Sequence, residues 1–172
     1  MNKKVVVLGG GTGMSNLLRG LKQYPLDITA IVTVCDDGKS TGILREEFNI
    51  PAVGDIRRVL VSLSETEPLV MKLFNYRFNT TSDLDGHTVG NLLLTAASEI
   101  TGNLSDGIEA LSKVMNLKGK VVPLTEDNVT LIGELIDGIV KIPLEECYKL
   151  QEENYFKHAN TNIAILMYRM MK

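Results

Sequence analysis

Two cysteines, Cys35 and Cys147, are all that the 172 residues contain. Two residues make no disulfide framework and no zinc-ligand spacing. An excess of positive charge is missing as well. Lys and Arg number 18 against 21 Asp and Glu, a formal net charge of −3. Divided after residue 86, the counts are 10 against 10 and then 8 against 11. Neither half has the basic field that grips nucleic acid or an anionic membrane, so no nucleic-acid partner is expected. Long apolar runs are also lacking. Ile163–Tyr168, the longest near the C-terminus, is far too short to span a bilayer. Lys3 and Lys4 lead directly into an apolar run, so no secretory leader is expected. With 15 Gly and 5 Pro, the chain is neither collagen-like nor a linker. What remains is a cytoplasmic protein, 44% hydrophobic and long enough to bury a core.

Val5 to Leu8 is a β-branched run that ends in Gly9-Gly10-Gly11-Thr12-Gly13. Met14, Leu17, Leu18 and Leu21 then repeat at helical spacing up to Tyr24-Pro25, which stops the helix. Ile28 to Val34 reads as a second buried strand. Strand, glycine turn, helix and strand make a βαβ unit with parallel strands. Its first turn falls at the carboxyl edge of the sheet, where open α/β sheets bind ligands. A short helix is expected through Glu47, and another from Ile56 to Leu63 with Asp55 as its N-cap. Pro68 opens a further helix. Val89–Ile100 and Leu104–Met115 have helical spacing, Lys120–Leu124 and Val129–Ile136 read as strands, and Asp137-Gly138 as a hairpin turn. Leu144–Lys157 and Thr161–Lys172 could be helical but offer no strand to extend a sheet.

The glycine loop carries the clearest chemistry. Gly10, Gly11, Thr12 and Gly13 leave backbone N–H groups accessible to a phosphate, with a helix N-terminus behind them. The alternative is a tight turn without a ligand. A dinucleotide fingerprint fails, because Met14 or Asn16 stands where its third glycine is needed. Gly38-Lys39-Ser40 imitates the end of a P-loop, but Thr33 replaces that motif's first glycine. Lys39 can still reach a phosphate. Asp36 and Asp37, just past the second strand, suit a divalent ion, ribose hydroxyls or general-base work; otherwise one caps a helix and the other is solvated. Arg57 suits a bidentate diphosphate contact, with one of the Arg57-Arg58 pair left to solvent. His87 and Asn91 open the next helix, as ligand donors or as capping groups.

Taken in order, the strings Gly9–Gly13, Asp36-Asp37-Gly38, Ser40-Thr41-Gly42, Pro51–Arg57, Leu73–Phe78 and Gly86–Leu92 resemble the N-terminal part of the YvcK proteins. These are the gluconeogenesis factors, relatives of CofD, the 2-phospho-L-lactate transferase. The resemblance covers residues 4–140 and implies an α/β fold: a Rossmann-like parallel sheet flanked by helices, in an incomplete copy. Residues 1–140 would form the nucleotide-binding portion and 141–172 a divergent tail. Lys39 stands where the family has a second glycine, and the family's later strands find no match after Val140. The remaining sheet is then expected to expose an apolar edge or face unless residues 144–172 or a second copy cover it.

By resemblance, the function is binding of a UDP-sugar, UDP-N-acetylglucosamine, by a regulator without turnover. That regulator supports cell shape and wall synthesis on gluconeogenic carbon sources. The implied nucleotide-binding residues are Gly10, Gly11, Thr12, Gly13, Asp36, Asp37, Lys39, Ser40, Arg57, His87 and Asn91. No catalytic residue and no cofactor belong to that reading; a regulatory protein partner or a homo-oligomer would fit it. The alternative is a transferase acting on a nucleotide diphosphate donor with magnesium held by Asp36 and Asp37. A third reading is a truncated copy that binds no ligand.

Overall fold

The computed structural model describes residues 2–129 apart from Asp37 and Glu67, and two short strands at 133–135 and 138–140. The chain divides into two units, Met1–Asn128 and Val129–Lys172. In the first, β1 (Lys3–Gly9), α1 (Gly11–Leu21) and β2 (Leu26–Val32) realise the expected βαβ unit. The strands pair in parallel from Lys3 opposite Leu26 to Gly9 opposite Val32. Five helices follow: α2 (Lys39–Phe48), α3 (Gly54–Leu63), α4 (Pro68–Asn75), α5 (Val89–Thr101) and α6 (Leu104–Val114). The chain then returns to β3 (Lys120–Pro123), parallel to β2 on its free side, so the order is β1-β2-β3.

Side chains of a strand alternate between the faces of its sheet. On one face Ile28, Ala30 and Val32 of β2 are fully buried. Helix α3 packs against β2, β3, α1 and α5, and its Ile56, Val59, Leu60 and Leu63 are also fully buried. The opposite face is different. The register places Leu8, Ile31 and Val122 in one row across the three strands. Leu8 is 56% exposed, Val122 41% and Val6, further along β1, 64%. The described helices cover one face of the sheet only. The expected apolar exposure is present, and the tail expected to cover it lies outside the described residues.

Several expected boundaries move. Helix α1 starts at Gly11, inside the glycine run rather than at Met14. Helix α3 starts at Gly54 with Val53 at the N-cap position, so Asp55 does not cap its own helix. Its carboxylate crosses instead to the N-terminus of α1. The real side-chain caps are Thr88, whose Oγ1 accepts from Asn91 N at 3.3 Å, and Asn103, which accepts from Asp106 N at 2.8 Å. In the second unit the strand expected over Val129–Ile136 is shorter. There β4 (Gly133–Leu135) pairs antiparallel with β5 (Gly138–Val140) as a separate two-stranded sheet. Asp137 of the expected turn, and the helices expected at 144–157 and 161–172, lie outside the described residues.

Candidate functional site

Four helices turn their N-termini toward one neighbourhood at the carboxyl ends of β1 and β2. The first residue of α1 meets the first turn of α3, because Gly11 N–H donates to Asp55 Oδ2 at 2.7 Å. The start of α3 meets that of α2: a Cβ on Gly54 would lie 2.8 Å from Thr41 Oγ1 and 3.1 Å from Asp36 Oδ2. The start of α2 meets that of α5, since Asn91 Nδ2 donates to Ser40 Oγ at 3.2 Å. Each helix N-terminus carries roughly half a positive charge on its unsatisfied N–H groups. Gathering four of them makes a place where an anion is stabilised.

Part of that field is already answered from within. Asp55 takes the Gly11 N–H and pairs with Arg58 at 2.8 Å. Burial nonetheless pushes its carboxyl up from the ordinary value, outweighing the opposing pull of Arg58 and of Gly11 N–H; the nearby Asp36 adds to the rise. The loop glycines divide accordingly. A Cβ on Gly10 would fall 2.3 Å from Thr33 Oγ1 and 2.4 Å from Asp55 Oδ2, so Gly10 is needed for the fold itself. Gly11 has φ +66°, a conformation that L side chains rarely adopt. Gly13 is unlike both. It is exposed, in the first turn of α1, and a Cβ there would meet nothing within 4 Å. Glycine in a helix costs about 1 kcal/mol relative to alanine, and no internal contact of Gly13 offsets that. Among the described residues, no side chain accepts from Thr12 N–H or Gly13 N–H.

On the other side of Asp55, Arg57 of α3 is buried, 6% exposed. Its Nε donates to Asn91 Oδ1 at 3.1 Å and its Nη1 to Asn75 Oδ1. Burial, with Arg58 and Arg77 nearby, lowers its guanidinium to about 10, so it stays charged at neutral pH. Asn91 continues to Ser40, and Ser40 Oγ lies 3.1 Å from His87 Nδ1. Ser40, His87 and Asn91 are each at most 5% exposed. Residues 40, 57, 87 and 91, expected in the site, are therefore one connected group. Of the Arg57-Arg58 pair, Arg58 is the more exposed, with 40% of its side chain accessible.

The remaining expected residues stand as follows. Asp36 Oδ1 accepts from Gly38 N at 3.1 Å, closing its own loop. Asp37 lies outside the described residues, and Lys39 begins α2 without a described side chain. Two residues that matter carry no signal in the sequence, and a third, Asp55, carries a misleading one. Asn75 anchors Arg57 and holds its own amide by donating to Met71 O at 3.0 Å. Arg45, 5% exposed, donates to Asn128 Oδ1 at 2.7 and 3.0 Å and to Asp36 O at 3.5 Å, bracing the loop before α2. Asp55 was read as a local cap. Only its place in the Gly54-Asp55-Ile56-Arg57 string hinted at more.

Among the described residues no group of three or more His, Cys, Asp or Glu gathers to hold a metal ion, and no helix is long and apolar enough to cross a membrane. The family model described as 2-phospho-L-lactate transferase CofD matches residues 5–167. The gluconeogenesis factor of Halalkalibacterium halodurans is 55% identical over 138 residues, 80% of this chain and 43% of that protein. That of Bacillus subtilis is 55% identical over 137 residues, again 80% and 43%. A crystal structure of a Bacillus halodurans protein superposes with a TM-score of 0.79 at 55% identity, covering 81% of this chain and 45% of that one. The chain thus spans less than half the length of the curated relatives it matches.

Proposed function

The chain belongs to the CofD family, and on that premise we propose that it binds a nucleoside diphosphate sugar, UDP-N-acetylglucosamine, as a regulator rather than an enzyme. The observation that carries this reading is the convergence of four helix N-termini at the sheet edge. A diphosphate placed there would accept from Thr12 and Gly13 N–H, while His87 and Ser40 bound the opposite wall. Gly13 gives the clearance. Asp55 sets a limit: its carboxylate occupies Gly11 N–H, so the diphosphate sits beside that group and not on it.

The proposed regulatory role is in cell shape and wall synthesis on gluconeogenic carbon sources in the cytoplasm; the name of the relatives, gluconeogenesis factor, supports its link to gluconeogenesis. The transferase reading draws on the name of the family model. It needs magnesium; Asp37 lies outside the described residues, and the carboxylates that are described are already partly engaged. Asp36 is turned onto Gly38 N, and Asp55 is engaged by Gly11 and Arg58. Calorimetric titration with UDP-N-acetylglucosamine, UDP and GDP, with and without magnesium, tests the proposal. Binding that prefers the UDP-sugar and ignores magnesium is expected. A preference for GDP that requires magnesium would favour the transferase, and no heat with any of the three would leave the non-binding reading.

A further inference from the structure

The buried chain of polar groups from Arg57 to His87 has a direction, set at the Arg57 end. A guanidinium has donors only. Arg57 Nε therefore requires the amide oxygen of Asn91 to face it, which turns Asn91 Nδ2 toward Ser40. The reverse orientation would set two donors against each other. Ser40 Oγ thus accepts from Asn91 and has one proton left to give. Among the described residues its only remaining partner is His87 Nδ1, 3.1 Å away; were Nδ1–H to donate to the second lone pair of Ser40 Oγ instead, the buried hydroxyl proton would be left without a partner. An imidazole nitrogen that accepts carries no proton. Asn75 is oriented by the same rule, with its oxygen on Arg57 and its amide nitrogen on Met71 O.

We infer that Arg57, through Asn91 and Ser40, fixes the tautomer of the His87 imidazole, placing its proton on Nε2 as a hydrogen-bond donor for an anionic ligand oxygen. Arg57, Asn91 and Ser40 are positioning residues in this arrangement. Nε2, across the ring from Ser40, has no hydrogen-bond partner among the described residues. The tautomer follows from the relay alone; only its use on a phosphate oxygen rests on the nucleotide-binding reading. It also distinguishes His87 from a histidine that merely caps a helix, a role that Thr88 already fills.

The test reads the ring nitrogens directly, by NMR of the full ligand-free chain carrying ¹⁵N-labelled histidine. Recording at about pH 8.5, well above the ordinary imidazole value of about 6.5, keeps the imidazolium out of the measurement. A His87→Gln sample assigns the signals against those of His158. In the wild type, Nδ1 is expected at the unprotonated end of the shift range and Nε2 at the protonated end. Asn91→Asp should reverse the relay. A carboxylate faces both Arg57 and Ser40, accepts the hydrogen bond that Ser40 O–H then donates to it, and leaves Ser40 Oγ only its lone pairs for the ring, so His87 should switch to Nδ1–H. Ser40→Ala should release the ring to the mixture of tautomers found in water. A wild-type ring protonated at Nδ1 would overturn the inference. So would a folded Asn91→Asp protein that keeps Nε2–H; if that variant does not fold, an unchanged tautomer population in Ser40→Ala would do the same.

Discussion

The two sides of the candidate site are built on different principles. The glycine loop is a local object: five consecutive residues that end β1 and begin α1, whose backbone does the work. The Arg57–Asn91–Ser40–His87 relay is a long-range object, contributed by α2, α3, α5 and the segment before α5, and its side chains do the work. Among the described residues no side chain accepts from Thr12 or Gly13 N–H, whereas the relay satisfies nearly all of its own groups and leaves His87 Nε2 without a described partner. Asp55 stands between them, with its carboxylate on Gly11 and its helix carrying Arg57. A ligand would meet open backbone clearance on one wall and a hydrogen-bonded polar surface on the other.

The comparison breaks most visibly at Arg57. Replacing it with alanine removes the donor that both Asn91 and Asn75 answer to, and leaves a buried amide oxygen unpaired at about 1–3 kcal/mol. Together with lost packing, Arg57→Ala should lower the unfolding free energy by about 3 kcal/mol. The urea midpoint measures this, and a change below about 0.5 kcal/mol would mean that the relay holds nothing together. On the loop side, Gly10→Ala should cost about 2 kcal/mol, because the added methyl overlaps Thr33 and Asp55 and a packed interior resists such insertion. Its extended backbone, φ −160°, accommodates alanine, so the loss reports crowding alone.

Asp55 gives a smaller, pH-dependent effect that links the two sides. Its carboxyl is raised in the folded state. A group of this kind contributes stability that is full below the ordinary carboxylate range and is lost as pH rises through the raised value. Relative to Asp55→Asn, the wild type should therefore lose stability as pH climbs out of the carboxylate range. Denaturant midpoints at a series of pH values would show it. A difference that runs the other way would mean that Arg58 and Gly11 outweigh burial.

The same contrast explains what the sequence could reveal. The β1–α1–β2 unit and the glycine loop are legible because their signals are local: a β-branched run, a glycine run and helical spacing, all within residues 5–34. Helices α5 and α6 were equally plain, closed by Thr88 and Asn103 through short-range caps. Asp55 misled because an acid at the start of a helix is the ordinary sign of an N-cap, and nothing in spacing reports that a glycine 44 residues earlier is its partner. Arg57, Ser40, His87 and Asn91 entered as separate ligand candidates. That they bond to each other depends on how α2, α3 and α5 pack. Asn75 and Arg45 are ordinary polar residues in sequence, and only burial and partners distinguish them.

The central claim is that the first turn of α1 and the wall formed by the relay make one anion site, with Gly13 as the clearance. Gly13→Val isolates that claim. The position is open, so the side chain strains nothing, and valine is at least as good a helix former as glycine. Calorimetric titration of this variant with UDP-N-acetylglucosamine, beside the wild type, is the direct measurement. The account predicts a folded protein of unchanged or slightly higher stability whose affinity falls at least tenfold, about 1.4 kcal/mol. A folded Gly13→Val protein that binds as tightly as the wild type would contradict it and leave the glycine loop a turn that serves the fold alone.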